Sequence, residues 1–466
     1  MHELDQRLTA VRPSQRQLAL EQMEFYAFIH FTLNTYTGRE WGDGTEDPAI
    51  FHPTSLDPGQ WVRAVKAAGM TGLILTCKHH DGFCLWPSKY TTHTVAASPY
   101  PGDVVAETAA ACRAGGIRFG IYLSPWDRNQ PCYGSGQAYN DYFVNQLTEL
   151  LTGYGEIFAV WLDGACGEGA NGKVQAYDWE RYYATIRRLQ PNACIHVCGP
   201  DVRWCGNEAG ITRPSEWSVV PLRMRDTEKI AHESQQADNA EFRQRKLAAS
   251  DQDLGSRAVL RDEQELIWYP AEVDTSIRPG WFYHAQEDSQ VKTTEELFQT
   301  YLRSVGGNST LLLNIPPAPN GLLHPIDAAR LEELGNRLRS AFGHNLAAEA
   351  RLWADSAQPG HEIEKAREDS YEAWFCPPEG QDVCHVTVEL PQEAEVSYVV
   401  LKEYIPDSQR IEGFRVTDRE GRLLYEGTAV GYKRVIPLPA GARTDCLHIT
   451  FEDARGYPTL SFLGVY

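Results

Sequence analysis

Short apolar runs recur along much of the chain, separated by stretches in which apolar residues return every third or fourth position. FYAFIHFT (25–32) is the first run, and GLILTCKH (72–79), IRFGIYLS (117–124), IFAVWLD (157–163) and ACIHVCG (193–199) follow it. Strands that read as continuous apolar runs are covered on both faces, which predicts parallel sheet. Helices are predicted between them. DPGQWVRAVKAAG (57–69) has Asp57 as N-cap and Gly69 as C-cap. DVVAETAAACRAGG (103–116), GQAYNDYFVNQLTELLTGYG (136–155) and DWERYYATIRRLQ (178–190) come next, the last stopped by Pro191. EWSVV (216–220) and PAEVD (270–274) are read as the sixth and seventh strands, TTEELFQTYLRSVGG (293–307) as a helix and TLLLNIPP (310–317) as the eighth strand. Strand–helix units in this number predict an α/β fold, a (β/α)₈ TIM-like barrel. The polar tract Asp226–Glu265 reads as a surface excursion with helical character before the seventh strand.

After about residue 345 the pattern changes. DVCHVTVELP, EVSYVVLKEY, CLHITFED and PTLSFLGVY are strand-like and closely spaced, with Gly, Pro and Asp in the turns. This predicts a C-terminal antiparallel β-sandwich domain over 346–466, behind a catalytic barrel over 1–345.

Composition narrows the partners. The 466 residues carry a formal net charge of −20, which disfavours nucleic acid and anionic membrane because phosphate binding needs clustered Lys and Arg. A neutral or cationic small molecule fits better. The polar N-terminus has no apolar core of a signal peptide, and no apolar run is long enough to span a membrane, so a cytoplasmic protein is expected. The eleven cysteines show no CxxC spacing and are expected to be reduced, most of them as small buried residues. A homo-oligomer is left open.

A barrel carries its chemistry at the C-terminal ends of its strands. His30 ends the first strand. Lys78, His79, His80 and Asp81 end the second, Tyr122 and Ser124 the third, and Asp163 the fourth. The fifth leads into GPDVRWCGNEAG with Arg203, Trp204 and Glu208, and Glu272 and Asp274 close the seventh ahead of SIRPGWFYH. Phosphate-cradling loops and a GxSxG elbow are missing. Polar residues interleaved with Trp, Tyr and Phe suit a sugar, and two carboxyls suffice to cleave a glycosidic bond.

The segments IHFTLNTYTGREWG, KHHDGFCLWPSKYT, WLDG and SIRPGWFYH together resemble the α-L-fucosidases of glycoside hydrolase family 29, over roughly residues 20–345. RWCGNEAG is similar to the subgroup that cleaves α-1,3- and α-1,4-linked fucose on branched glycans. The resemblance implies a retaining exo-α-L-fucosidase working by double displacement on a fucosylated oligosaccharide, with no cofactor and no metal. It implies Asp163 as nucleophile and Glu208 as acid/base. His30, Glu40, Trp41, His79, His80 and Tyr122 would bind or wall the sugar, with Trp86, Trp204 and Trp281 as apolar walls. Glu272, Asp274 and Arg278 belong to a motif of the subgroup. The run FIHFT departs from relatives that have a Gly and Trp there.

Plainer readings stand beside these. Asp163 before Gly164 suits a turn, the imidazoles suit a satisfied core, and His52 and His93 are expected to be structural. Alternatives in function are a broad-specificity α-L-fucosidase or transfucosidase, a non-catalytic fucose-binding protein, and a metal-dependent barrel hydrolase using His30, His79, His80 and Asp163.

Overall fold

Eight parallel strands curl into one sheet. They are β1 (Phe25–Ile29), β2 (Gly72–Lys78), β3 (Arg118–Leu123), β4 (Ala159–Leu162), β5 (Cys194–Val197), β6 (Arg203–Trp204), β7 (Ala271–Ser276) and β8 (Ser309–Asn314). The order is β5-β4-β3-β2-β1-β8-β7-β6. A bridge between His196 and Val202 brings the two ends together, so the sheet is a nearly closed TIM-like barrel. The structure is a computed structural model and describes residues 2–234 and 252–466.

The strands run as predicted because their side chains are buried on both faces. One apolar cluster fills the space between the sheet and its helices, through residues such as Leu73, Leu75, Val160 and Leu313. A second fills the barrel interior, with Tyr26, Phe28, Ile74, Tyr122 and Trp161, and is plugged from below by Leu20 and Met23. The expected N-cap at Asp57 forms, while the C-cap of that helix is Ala68, one residue before the expected Gly69. Asp57, Asp103 and Asp178 accept from Gln60 N, Ala106 N and Arg181 N at the starts of helices Pro58–Ala67, Val104–Gly115 and Trp179–Leu189. Thr293 and Glu296 make a capping box at Thr294–Ser304. Helix Pro325–Phe342, not singled out in the sequence, closes the ring after β8.

The sixth strand is not EWSVV. It is Arg203–Trp204, five residues after β5, paired with β7. Val219–Pro221 instead pairs antiparallel with Leu266–Trp268 outside the barrel. Its apolar residues are buried for another reason. Val219 packs with Ile405 and Tyr432, and Trp217 and Val220 with Ala429, all from the C-terminal part of the chain. The polar tract begins with helix Thr227–Glu233 and ends with helix Arg257–Leu260, while its part at 235–251 lies outside the described residues.

The C-terminal part holds a five-stranded sheet (Arg351–Ala354, Cys384–Glu395, Arg443–Ala454, Ile411–Asp418, Leu423–Gly427) and a three-stranded one (Arg434–Pro437, Tyr398–Lys402, Phe462–Val465), all antiparallel. Val386, Val388, Phe414 and Ile449 from the first face Val399, Leu401, Ile436 and Leu463 from the second across one core, a β-sandwich. Among the described residues no helix is long and apolar enough to cross a membrane, and all eleven cysteines are free thiols.

A charged clamp joins barrel and sandwich. Glu24, just ahead of β1, accepts from Lys402 at 2.8 Å, Lys433 at 2.7 Å and Tyr432 at 2.9 Å. Burial works against the charge on Glu24, but the two ammonium groups outweigh it and hold its carboxyl well below the ordinary value of 4.5. A carboxyl with a depressed folded-state pKa adds stability that is complete above the unfolded value and is lost as pH falls through the folded one. Glu24→Gln should therefore destabilise the protein at pH 7 by about 3 kcal/mol, the scale of a broken buried pair. The gap between wild-type and variant thermal midpoints should narrow as pH falls below about 4.5. A gap that is constant with pH would refute the clamp.

Candidate active site

A cavity opens at the C-terminal mouth of the barrel. Strand alternation decides who lines it. Phe28 and His30 on β1, Trp161 and Asp163 at the end of β4, and Glu272 and Asp274 on β7 are pairs at i and i+2, so each pair faces the barrel interior. The upper member of each pair reaches the cavity, as do Phe28 and Trp161, while Glu272 lies deeper.

His79 and His80 both face the cavity although they are adjacent. The pairing of β2 with β3 shifts register between Thr76 and Lys78, and the chain then turns, with Gly82 N donating to His79 O. Gly82 has φ +77, and a Cβ there would meet Asp127 Oδ1 at 2.5 Å, so the turn needs glycine. Lys78 points away, into a buried pair with Asp127 at 2.9 Å. The imidazoles stack obliquely with centroids 4.1 Å apart.

Hydrogen bonds set the ring tautomers. Ser124 donates its one hydroxyl proton to Trp126 O, so at 2.7 Å it must accept from His80 Nδ1–H. Asn314 donates through Nδ2 to Ser276 Oγ and Trp281 O, so its Oδ1, 2.8 Å from His30 Nδ1, is the acceptor. Both rings thus carry their proton on Nδ1 and turn an Nε2 lone pair the other way. Burial, and then neighbouring imidazoles, pushes His79 well below its ordinary value. Burial pushes His30 down to about 4 and His80 to about 3.

Asp163 is half-buried. Its Oδ2 accepts from Tyr122 at 2.8 Å, and its Oδ1 from Ala165 N at 2.9 Å. Burial raises its pKa against the pull of these donors. His80 Nε2 lies 3.7 Å from Asp163 Oδ2. Tyr122 is held in turn by stacking on Trp161.

Glu208 comes from the loop after β6. Asn207 Nδ2 donates to Ile211 O and its Oδ1 accepts from Ala209 N, while Thr275 Oγ1 donates to Glu208 O. The side chain accepts from Trp281 Nε1 at 3.2 Å and lines the same cavity as Asp163. Trp41, Trp204 and Trp281 are further walls. Trp41 meets the His80 ring edge-on.

Five expected residues do not line the cavity; Tyr122 is one, fully buried behind Asp163 and bonded to it. Trp86 donates to Glu149 Oε2 on helix Gln137–Gly153 and is absent from the cavity wall. Glu40 stands behind the wall, accepting from Trp281 N at 2.7 Å and from His284 at 2.5 Å, so it holds the Trp281 loop. Arg278 is fully buried and anchors that loop to Asp327 and Asp288. Glu272 lies beneath the cavity floor, with Tyr26, Trp161 and His196 donating to it. Its carboxylate does not reach the cavity wall. Phe28 and Trp161 were not singled out from the sequence, although the i and i+2 alternation with His30 and Asp163 points to them, while Asp274, read as a rim residue of the seventh strand, does line the cavity.

His79, His80 and Asp163 each present one donor atom within 4.8 Å of the others, a spacing that a cation could use. Asp163 Oδ2 is already engaged by Tyr122, and the two rings are uncharged, a form that can also accept from sugar hydroxyls.

A family model described as α-L-fucosidase matches residues 14–341. α-L-Fucosidase 1 of Arabidopsis thaliana is 38% identical, over 97% of this chain and 87% of that protein. A glycoside hydrolase 29 family member from an unknown rumen bacterium is 37% identical, with 98% of this chain and 77% of that one covered at a TM-score of 0.78. A Ruminococcus gnavus GH29 fucosidase, solved in complex with fucose, is 30% identical, with 98% and 95% covered at a TM-score of 0.85.

The depressed histidines make a direct expectation. A group whose folded value lies below its unfolded one charges only once pH falls past the folded value. The ring C–H signals of His30, His79 and His80 should therefore stay constant in an NMR titration from pH 8 to 5, while exposed histidines shift near the ordinary value of about 6.5. Movement of these three with a midpoint near 6.5 would contradict the lowered basicity that burial imposes.

Proposed function

The chain belongs to the α-L-fucosidase family, glycoside hydrolase family 29, and we propose that it is a retaining exo-enzyme that releases α-1,3- or α-1,4-linked L-fucose from branched glycans. The observation that carries this reading is the pair of carboxyls, Asp163 and Glu208, opening onto one cavity from different parts of the barrel rim.

Asp163 is the nucleophile in this mechanism. Its anchoring by Tyr122 and Ala165 N aims one oxygen edge at the anomeric carbon. Attack breaks the glycosidic bond and makes a fucosyl ester on Asp163. Glu208 gives its proton to the departing oxygen, then takes one from the water that cleaves the ester, so the anomeric configuration is inverted twice and retained overall. The indole N–H of Trp281 donates to Glu208 Oε2 and orients the carboxyl at the cavity. Neutral His30, His79 and His80 offer lone pairs to sugar hydroxyls, and Trp41, Trp204 and Trp281 cover its apolar faces. The depth of the pocket suits a terminal sugar, and the loop bearing Glu208 is the element that resembles the branched-glycan subgroup.

Three measurements bear on the mechanism. Proton NMR of the first-formed sugar should show the α-anomer, and β-fucose would overturn retention. Asp163→Asn should lower turnover on the order of 10⁴-fold while keeping fucose binding. Glu208→Ala should lose far more on a glycan than on an aryl fucoside with a good leaving group, which needs no proton. Linkage is tested separately: Lewis-type trisaccharides should be cut at least tenfold faster than an α-1,2-linked fucoside, and equal rates would give way to the broad-specificity reading. Full activity after dialysis against EDTA is expected.

A further inference from the structure

Asp274 is the cavity's third carboxyl, and no step of the mechanism uses it. It sits one alternation above Glu272 on β7, lines the cavity and is 2% exposed. Among the described residues no donor reaches either of its oxygens. Its neighbour Glu272 accepts from Tyr26, His196 and Trp161. Two buried carboxyls side by side cannot both ionise at ordinary pH, so one holds a proton.

The assignment of that proton follows from the partners. Burial opposes charge on Glu272, but His196, Tyr26 and Trp161 outweigh it and keep its pKa below the ordinary value. Burial first, then the charge of Glu272 and those of Glu208 and Asp163, drive Asp274 well above the ordinary range. Tyr26 from β1 and Cys205 beyond β6 also face it, and burial raises both, so neither adds charge. The cavity histidines His30, His79 and His80 are uncharged as well.

We propose that Asp274 is a sugar-binding residue: a neutral carboxylic acid that donates its proton to the Glu272 carboxylate and accepts a hydroxyl of the bound fucosyl unit on its other oxygen. Glu272 is then the positioning residue that makes this possible. Neutrality matters because Asp163 and Glu208 share the cavity, and a third charge would oppose ionisation of the one and disturb the proton on the other. The inference rests on the fucosidase reading of the pocket. It makes no use of the linkage, so a failure of the linkage assignment leaves it standing.

Asp274→Asn is the mimic, because its amide N–H can donate to Glu272 and its oxygen can accept from the sugar. Asp274→Leu has nearly the same shape and neither function, and Asp274→Ala serves beside it in case one of the two fails to fold. The readouts are the inhibition constant of L-fucose, the split of KM from kcat on an aryl fucoside, and the thermal midpoint. The Asn variant should bind fucose within about fivefold of wild type. The apolar variants should lose roughly 10- to 100-fold, the range for a buried polar partner left unmet, chiefly in KM and fucose affinity. An Asn variant as impaired as the apolar ones would mean that the charge is required and would overturn the proposal. So would an apolar variant that binds fucose as tightly as wild type. Wild-type turnover in the same assay reports on the fucosidase reading itself.

Discussion

A single carboxylate in the barrel's interior organises the floor beneath the cavity. Glu272 is removed from water, and an ion there is tolerated only if its lone pairs are met. Three strands meet them: Tyr26 from β1, Trp161 from β4 and His196 from β5. The consequences run upward. Trp161, pinned through its indole N–H, stacks on Tyr122, and Tyr122 holds Asp163. Phe28 closes the same aromatic layer against Trp161 and His30. A buried ion of this kind is weak support for stability, since an apolar replacement of equal volume often does as well. Its effect is conformational. Only one arrangement of three facing strands satisfies it, and that arrangement aims Asp163 at the mouth.

How much of this was legible in the chain depends on the length of the pattern that carries it. β1 to β5 and β8 read correctly because each is a sustained apolar run, β7 read from the short PAEVD segment in spite of its two carboxyls, and the Asp caps mark where helices begin. The sixth strand was misassigned because Arg203–Trp204 is too short to have a pattern, whereas EWSVV is apolar for the sake of the sandwich. Within the site, His30, His79, His80, Trp41, Trp204, Glu208 and Trp281 come together on one cavity with Asp163. Trp86 and Arg278 were drawn in by proximity to a motif, and motif proximity says nothing of direction. Trp86 turns to Glu149 and Arg278 to Asp327, both on the helical shell. Direction was available from period-2 alternation, which sorts Glu272 below the floor and Asp274 into it only once the strand's polarity is known.

The sandwich answers a gap in the barrel. β5 passes to β6 through a tight turn with no helix between, and among the described residues the long connection from β6 to β7 lays no long helix on the sheet. The C-terminal part covers that side. Gln409 accepts from Ser218 N and donates to Glu216 O, while Arg257 bridges Asp5 and Asp453. Asn308, leaving the helix before β8, donates to Glu216 O and accepts from Tyr432 N. The same Glu216 pairs with Arg203 at the start of β6, and with Arg213 just beyond the Glu208 loop. Docking of the second fold is thereby tied to the base of the loop carrying Glu208, so the sandwich braces the acid side of the cavity as well as the barrel wall.

The chain's large acidic excess does not extend into the cavity as uncompensated charge. Burial makes each ion expensive there, and the site responds by keeping its groups neutral. The histidines are stripped of basicity, and Asp274 takes the proton that Glu272 refuses. This has a chemical logic for Asp163 as the proposed nucleophile. His80 Nε2 stands 3.7 Å from Asp163 Oδ2, close enough for an ion pair if it were protonated. An imidazolium there would stabilise the resting carboxylate and blunt its attack on an anomeric carbon, because only interactions stronger in the transition state speed the reaction. Ser124 fixes the neutral tautomer by accepting the Nδ1 proton, and burial among rings such as Trp41 and Trp126 denies a second proton its solvation. The carboxylate is left with hydroxyl and amide donors, which orient it without neutralising it.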